Sequence, residues 1–219
     1  MNRLDHKCTL NLVILVFFVF SSFCCSAQGD YFSKIDPRVM AKILDLKKKD
    51  AKVIVCFYEP CYGAVFPVGK DSCNVYNIKY LLWCINNKCF MQRFDDCWDY
   101  RPIDIGPTLM TFLQSNYLVI REEKLANLKY RAIIDGKDSI QEIYGIDHSC
   151  HYIFEVYFGN HQSTIDINDF VLEKTDYEGH RNLNYEINQK SMQNKLKNLA
   201  ETQVAKYNQN LSDKKPVNK

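Results

Sequence analysis

Residues 150–167 read CHYIFEVYFGNHQSTIDI, and this stretch decides the fold of the chain. Gly159 and Asn160 at its centre form a two-residue turn signal, because both residues tolerate the positive φ that a tight hairpin requires. If Phe158 pairs with His161, one side of the hairpin carries Tyr152, Phe154, Val156, Phe158, Ile165 and Ile167. The other side then carries Ile153, Glu155, Tyr157, Gln162, Thr164 and Asp166. This segregation predicts an antiparallel sheet with one buried face.

A second hairpin is predicted around Asn86 and Asn87, between the strand-like runs 78–85 and 88–95. With a two-residue loop, Cys84 lies directly opposite Cys89, and a cross-strand disulfide can form there. A slip of one residue in the turn would separate the two sulfurs, so both arrangements stay open. A weaker strand pair is predicted over residues 129–145.

Helices are predicted at both ends of the folded chain. Asp36 and Pro37 open the first helix, with aspartate as the N-cap and proline in the first turn. The last helix is expected at about residues 185–207, and short helices are expected at 108–114 and 122–128. The prediction is one α+β domain over residues 28–210, a mostly antiparallel sheet with the N-terminal and C-terminal helices packed on it. Residues 211–219 are expected to be a disordered tail.

The first 27 residues have the pattern of a secretory signal peptide. Arg3 and Lys7 precede an apolar run over residues 10–23, and small residues follow up to Ala27. A membrane anchor needs ~20 apolar residues, more than this run provides. A lipoprotein signal at Cys24 or Cys25 fits poorly, because neither has the expected preceding residues. We expect cleavage near Ala27, an exported (periplasmic or extracellular) product and no stable membrane span after processing.

Seven of the ten cysteines remain after residue 27. In an oxidising compartment, a crowded cysteine set indicates a disulfide framework whose connectivity sequence alone does not determine. Because seven is an odd number, at least one thiol must stay free, pair with another molecule or bind a ligand. Cys150 is the outlier by its position in the sequence. The disulfide candidates are Cys56, Cys61, Cys73, Cys84, Cys89 and Cys97.

The charge of the mature chain is nearly balanced. Removal of residues 1–27 takes away Arg3, Lys7 and Asp5, which lowers the formal net charge from +2 to +1. A nucleic-acid-binding domain would show a basic patch or stripe, and none is present in the sequence. The partner is unknown, and a protein or an envelope component is favoured over nucleic acid.

His148, Cys150 and His151 form the one constellation that could carry chemistry. Zinc accepts these ligand types, with a distant residue such as His180 completing the set. Alternatively, Cys150 could be a nucleophile activated by a neighbouring histidine. His161 is unsuited to join His151, because the hairpin separates them by seven pairs, more than ~20 Å, and puts them on opposite faces. No metal or cofactor is predicted, since no cofactor-binding motif is found.

One resemblance covers much of the mature chain. It is carried by Tyr80-Leu81-x-Trp83, by Lys88, by Gln92-Arg93-Phe94-Asp95-x-Cys97, by a histidine-bearing strand and by a C-terminal helix rich in Asn and Lys. Together with Gln28 after the cleavage point, these features resemble small exported bacterial proteins of unknown function. The resemblance implies no activity.

The leading hypothesis is an exported, non-catalytic binding or interaction module. It rests on the export signal, the balanced charge and the lack of a convergent catalytic set. The alternative is an exported thiol-based or metal-dependent enzyme centred on Cys150 and the nearby histidines, so whether the protein is an enzyme stays open.

Overall fold

The computed structural model of the protein describes residues 36–61, 78–144, 146 and 149–212. The chain divides after Met40 into two compact units, and every strand given below belongs to the second, Ala41–Lys219. The predicted signal peptide, residues 1–27, lies outside the described residues. Within the described ranges, no helix is both long and apolar enough to cross a bilayer.

The described residues form four α-helices and eight β-strands. The elements are α1 Pro37–Lys48, β1 Val53–Tyr58, β2 Lys79–Ile85, β3 Lys88–Phe94, β4 Ile103–Asp104, α2 Thr108–Glu122, β5 Leu128–Ile134, β6 Lys137–Ile143, β7 His151–Phe158, β8 His161–Asn168, α3 Tyr185–Gln189 and α4 Met192–Ser212. A 3-10 turn, Asp169–Leu172, follows β8.

Six strands form one antiparallel sheet in the order β4-β3-β2-β1-β7-β8, while β5 and β6 form a separate two-stranded sheet. The α+β class with a mostly antiparallel sheet is therefore confirmed. Phe158 pairs with His161 in the β7–β8 hairpin, and Cys84 pairs with Cys89 in the β2–β3 hairpin. The predicted β7–β8 register is confirmed, and of the two arrangements left open around Asn86-Asn87 the structure has the one that pairs the two cysteines.

The main hydrophobic core lies between the sheet and helices α2 and α4, on what we call the α4 face of the sheet. Val55 and Phe154 on the central strands are fully buried there, as are Leu113 of α2 and Leu196 and Tyr207 of α4. Burial of apolar surface in such a core contributes ~25 cal/mol per Å² to stability. The C-terminal helix thus packs on the sheet as predicted.

The opposite side, the α1 face, is also buried on the inner strands, so the prediction of one buried face was wrong for them. Ile54 and Leu81 are completely inaccessible to solvent. The reason is that the part of α1 after Met40 lies on this side, where the Lys47 ammonium lies 5.0 Å from the centre of the Tyr157 ring. On the edge strand β8 the predicted alternation holds, because its alternate residues remain exposed.

The predicted short helix over residues 122–128 is absent, since α2 ends at Glu122 and β5 begins at Leu128. Glu123 leaves the helical conformation, and its carboxylate oxygens accept hydrogen bonds from the backbone N–H groups of Met192 and Gln193, at 3.1 and 2.7 Å. The end of α2 therefore caps the beginning of α4.

The predicted last helix over residues 185–207 is two helices. Ser191 interrupts it because its side-chain oxygen accepts the backbone N–H of Asn194 at 3.0 Å, which is the geometry of an N-cap. Helix α4 then continues to Ser212. The prediction that residues 211–219 form a disordered tail was therefore wrong for residues 211 and 212, which are helical. Residues 213–219 lie outside the described part of the chain.

The β5–β6 hairpin projects apolar side chains into solvent. Ile133 is 80% exposed and Ile140 is 63% exposed. Its base is held by Tyr130, whose ring stacks on His180 with 4.4 Å between ring centres. The predicted strand pair around residues 129–145 is confirmed.

Candidate functional site

A cavity of about 550 Å³ lies between the α4 face of the sheet and helix α4, and we call it the α4 cavity. Its size is within the range of small-molecule sites in proteins. The sheet side is made where β1 ends and β2 begins. Because these strands are antiparallel, Phe57 faces Tyr80, and Glu59 follows directly after β1.

The helix side of the α4 cavity comes from one stripe of α4. Glu201, Val204, Ala205 and Asn208 line it. Their spacing of three, four and seven residues places all four side chains on the same face of a helix. One end of this stripe is acidic and its middle is apolar, so the cavity offers both kinds of contact.

The floor of the α4 cavity is aromatic and rigidly packed. The Phe57 ring stacks on Phe154 at 4.8 Å and on Tyr80 at 6.3 Å between ring centres. The Tyr80 hydroxyl lies 3.4 Å from the side-chain nitrogen of Asn208, which donates to it. Burial raises the pKa of Tyr80, so this hydroxyl stays protonated at neutral pH.

A disulfide forms part of the cavity wall. Cys61 lines the cavity and is bonded to Cys150, which immediately precedes β7. Since β1 and β7 are neighbouring strands, the bridge ties the end of one to the beginning of the other. Glu59 is only two residues from Cys61, so the bridge also limits where this carboxylate can move.

The carboxylates of the site differ in their partners. One oxygen of Glu201 accepts from the Lys197 ammonium at 2.8 Å and from the Tyr152 hydroxyl at 3.0 Å. Glu59 has no cationic partner among the described residues. Its side chain is accessible to solvent, and Asp169 adds a further negative charge nearby.

The pKa of Glu59 is raised above its usual value. The largest cause is partial removal of its carboxyl from water, and the negative charges of Glu201 and Asp169 act in the same direction. The Lys197 ammonium and the nearby Tyr152 hydroxyl only partly oppose this effect. A cation placed at Glu59 would relieve the same repulsion.

Cys150 was predicted as a candidate nucleophile or metal ligand, and the structure corrects this. It is one half of the Cys61–Cys150 disulfide and carries no thiol that could attack a substrate or bind a metal. The antiparallel bridge between these two residues explains the pairing, since it places their side chains side by side. His148, the second member of that candidate site, lies outside the described residues.

His151 lies between a serine and a carboxylate. Its Nε2 is 3.3 Å from the Ser149 hydroxyl, and its Nδ1 is 2.7 Å from an oxygen of Asp166. The atoms follow the order of a serine hydrolase relay. The sequence predicts the β7–β8 register but does not indicate this arrangement, because Ser149 precedes β7 and Asp166 is only a diagonal neighbour of His151, which pairs with Asn168.

Two features separate this relay from a hydrolytic site. The Ser149 side chain is buried, with 4% of the residue exposed. The backbone N–H of Cys150 donates to Asp169, and that of His151 donates to the carbonyl of Pro60, at 3.1 and 2.9 Å. Neither amide is therefore free to stabilise an oxyanion, and the relay joins the start of β7 to β8.

The remaining cysteine predictions have separate outcomes. The structure joins Cys84 to Cys89 across the β2–β3 hairpin. Cys97 is also disulfide-bonded. Cys73 lies outside the described residues. Cys56 was a disulfide candidate, but it is a buried thiol, because its neighbours across the sheet are Leu81 and Glu155 and no cysteine lies opposite.

Two clusters in the described ranges bring three ligand-type atoms within 4.8 Å of each other. The first is Glu59 with Cys61 and Cys150, whose sulfurs are bonded to each other and are not thiolate ligands. A metal site combining Cys150 with His180 is excluded for the same reason in this bridged form.

The second cluster is Asp176, Glu178 and His180. One oxygen of Asp176 accepts from the backbone N–H groups of Glu178 and His180, at 2.9 and 2.8 Å, and the other oxygen contacts the His180 ring at 2.9 Å. The aspartate therefore closes a turn, and this pattern accounts for the cluster without a ligand.

Comparison of the chain with protein-family models, with curated proteins and with solved structures finds no match. The α4 cavity is therefore interpreted from its own geometry.

Proposed function

We propose that the protein is exported and acts as a binding protein that takes a small, largely apolar molecule into the α4 cavity. The observation that carries this proposal is the cavity itself. It combines an aromatic floor with a few polar groups, carboxylates at one end of the α4 stripe and Asn208 at the other, the composition typical of small-molecule sites. A non-catalytic role agrees with the bridging of Cys150, which removes the thiol of the enzyme alternative.

Export is supported by the disulfides. Cys61–Cys150, Cys84–Cys89 and the bonded Cys97 belong to a class of cross-link that persists in oxidising compartments. If residues 1–27 are removed, Cys73 is the remaining cysteine available to Cys97. The mature chain would then hold three bridges and one thiol.

Export is tested by recovering the protein from cells that make it and sequencing its N-terminus. The expected mature chain begins close to Gln28 and is found outside the cytoplasm, and alkylation before reduction labels one cysteine. Recovery of an intact, fully reduced chain from the cytoplasm would refute the proposal.

Binding is tested by calorimetric titration of the oxidised protein with small arylalkyl compounds that share one apolar body. Ala205→Trp places a large side chain at the cavity lining and is expected to weaken binding at least ~10-fold. Lys206→Trp is the matched control, since residue 206 is exposed and does not line the cavity. Equal affinity in both variants, or no binding of any compound to the unmodified protein, would contradict the proposed function.

A further inference from the structure

The charged groups around the α4 cavity are mostly acidic. In the described part of its lining, the charged side chains are Glu59 and Glu201, with no lysine or arginine among the lining residues. Lys197 lies beside the cavity, but its ammonium is held 2.8 Å from Glu201. Asp169 adds a third carboxylate close enough to raise the pKa of Glu59. Three carboxylates therefore face one ammonium.

Among these three carboxylates, Glu59 is the one whose negative charge a bound cation could balance. Glu201 already has a cation and a hydroxyl donor on one oxygen, whereas no ion pair with Glu59 occurs among the described residues. A carboxylate in this position attracts a positive charge and repels a negative one. Because Glu59 is partly withdrawn from water, its attraction for a cation is stronger than that of a fully hydrated carboxylate.

The aromatic floor indicates the chemistry of the uncharged part of the ligand. Phe57 and Tyr80 line the cavity, and Glu59 lies two residues beyond Phe57 in the chain. Aromatic rings pack against apolar bodies and attract cations through their faces. An ammonium group also has three donors, which suit a carboxylate acceptor and a neighbouring tyrosine or asparagine oxygen.

We infer that the ligand of the α4 cavity is an organic amine with an apolar body, its ammonium group at Glu59 and its apolar part against Phe57 and Tyr80. This inference rests on the proposed binding function. It adds the charge of the ligand, which the cavity volume alone does not specify.

The test compares three probes that share a phenylethyl body and carry a cationic, a neutral or an anionic head group: 2-phenylethylamine, 2-phenylethanol and 3-phenylpropionate. Each is titrated into the oxidised protein at pH 7.5. The amine is expected to bind at least ~10-fold more tightly than the alcohol, and the carboxylate more weakly than both. Added salt is expected to weaken the amine more than the alcohol, because the ion pair is partly exposed.

Glu59→Gln isolates the charge without changing the shape of the side chain. It is expected to reduce amine affinity to that of the alcohol and to leave alcohol affinity unchanged. Glu186→Gln is the matched control, because Glu186 is exposed on α3 and does not line the cavity. If Glu59→Gln is poorly folded, acidification of the unmodified protein provides the same test, since protonation of Glu59 removes its charge.

In that acid titration, amine affinity should fall as Glu59 becomes protonated, at a pH above the ordinary glutamate range. The groups that face Glu59 and set this range are Glu201 and Lys197 on α4, Tyr152 on β7 and Asp169 after β8. Alcohol binding provides the reference, because it carries no charge.

The outcomes separate the two proposals. Binding of the alcohol as tightly as the amine, or an amine preference that survives in Glu59→Gln, would overturn the amine inference and leave the cavity function standing. Failure of all three probes to bind at millimolar concentration would overturn the proposed function itself.

Discussion

Two glutamates on opposite sides of the sheet show how this fold treats a carboxylate. Glu155 on the α1 face is 5% exposed, and its two oxygens accept hydrogen bonds from the hydroxyls of Tyr58 and Tyr157, at 2.9 and 3.1 Å. Glu59 at the α4 cavity is accessible to solvent and has no ion-pair partner among the described residues. Both lie beside tyrosines, but only Glu155 is fully satisfied.

The difference follows from the helices that cover each face. On the α1 face Glu155 is closed off from solvent, so this buried carboxylate must find its partners within the protein. Helix α4 leaves a cavity, so a carboxylate there can take a partner from outside. The contacts of Glu155 indicate that it stabilises the fold, whereas Glu59 is the residue that we propose to contact a ligand.

The largest effect is expected from opening the wall of the α4 cavity with the double variant Cys61→Ser and Cys150→Ser. These residues are 89 positions apart, and loss of such a cross-link lowers the free energy of unfolding by about 4–5 kcal/mol in the chain-entropy model. Probe binding at the cavity should be lost as well. Urea denaturation and calorimetric titration measure the two effects.

The matched control removes the other bridge with Cys84→Ser and Cys89→Ser. Their separation is 5 residues, and the expected loss is about 2 kcal/mol with probe binding retained. If both double variants lose the same stability and the same binding, the α4 cavity wall has no special dependence on the long-range bridge.

The second-largest loss of stability is expected at Glu155, whose two carboxylate oxygens both accept hydrogen bonds. Glu155→Ala leaves the hydroxyls of Tyr58 and Tyr157 without their acceptor in a buried place, and about 3 kcal/mol of stability should be lost. Glu155→Gln should cost about half as much, since its oxygen still accepts one of the two bonds. Urea denaturation measures both, and unchanged stability in Glu155→Ala would mean that the buried pair of hydrogen bonds is not stabilising.

Glu59→Gln should have the opposite signature, a small gain in stability together with loss of amine preference. The folded-state pKa of Glu59 is raised, so the ionised form disfavours the fold. This cost starts to shrink as the pH falls through the folded-state pKa and is gone below the unfolded-state pKa. The melting temperature of the variant should therefore exceed that of the unmodified protein at neutral pH, and the gap should narrow in acid. A lower melting temperature at neutral pH would assign Glu59 a stabilising role and end the contrast with Glu155.

The smallest effect is expected outside both faces, at the tip of the β5–β6 hairpin. Ile133 is 80% exposed, so Ile133→Thr should change stability by less than ~0.5 kcal/mol and leave probe binding unaltered. Thermal unfolding provides the measurement, and this variant sets the baseline against which the two glutamate variants are compared.

Much of the sheet was predictable because turn residues fix its registers locally. Gly159-Asn160 and Asn86-Asn87 each determine which residues face one another, and both pairings are observed. The break at Ser191 and the second buried face were missed, because each depends on packing between elements distant in sequence. A serine inside a polar helical stretch gives little sign that its hydroxyl caps a new helix.

The site was less predictable than the fold. Glu59 and Glu201 are far apart in the chain, and neither belongs to a motif, so only the packing of α4 on the end of β1 brings them to one cavity. The hypothesis about Cys150 failed because sequence proximity to histidine says nothing about a sulfur on a neighbouring strand. Its bridge to Cys61 depends on the β1–β7 pairing, which the hairpin signals do not reveal.

The thiol of Cys56 has a consequence for the order of events during maturation. It lies at the centre of the sheet with no accessible surface, while every other described cysteine is cross-linked. An oxidant acting on an unfolded chain would find this sulfur as available as the rest and could trap it in a scrambled product. Assembly of the strands before oxidation would protect against that error, because the folded sheet leaves this sulfur no accessible surface.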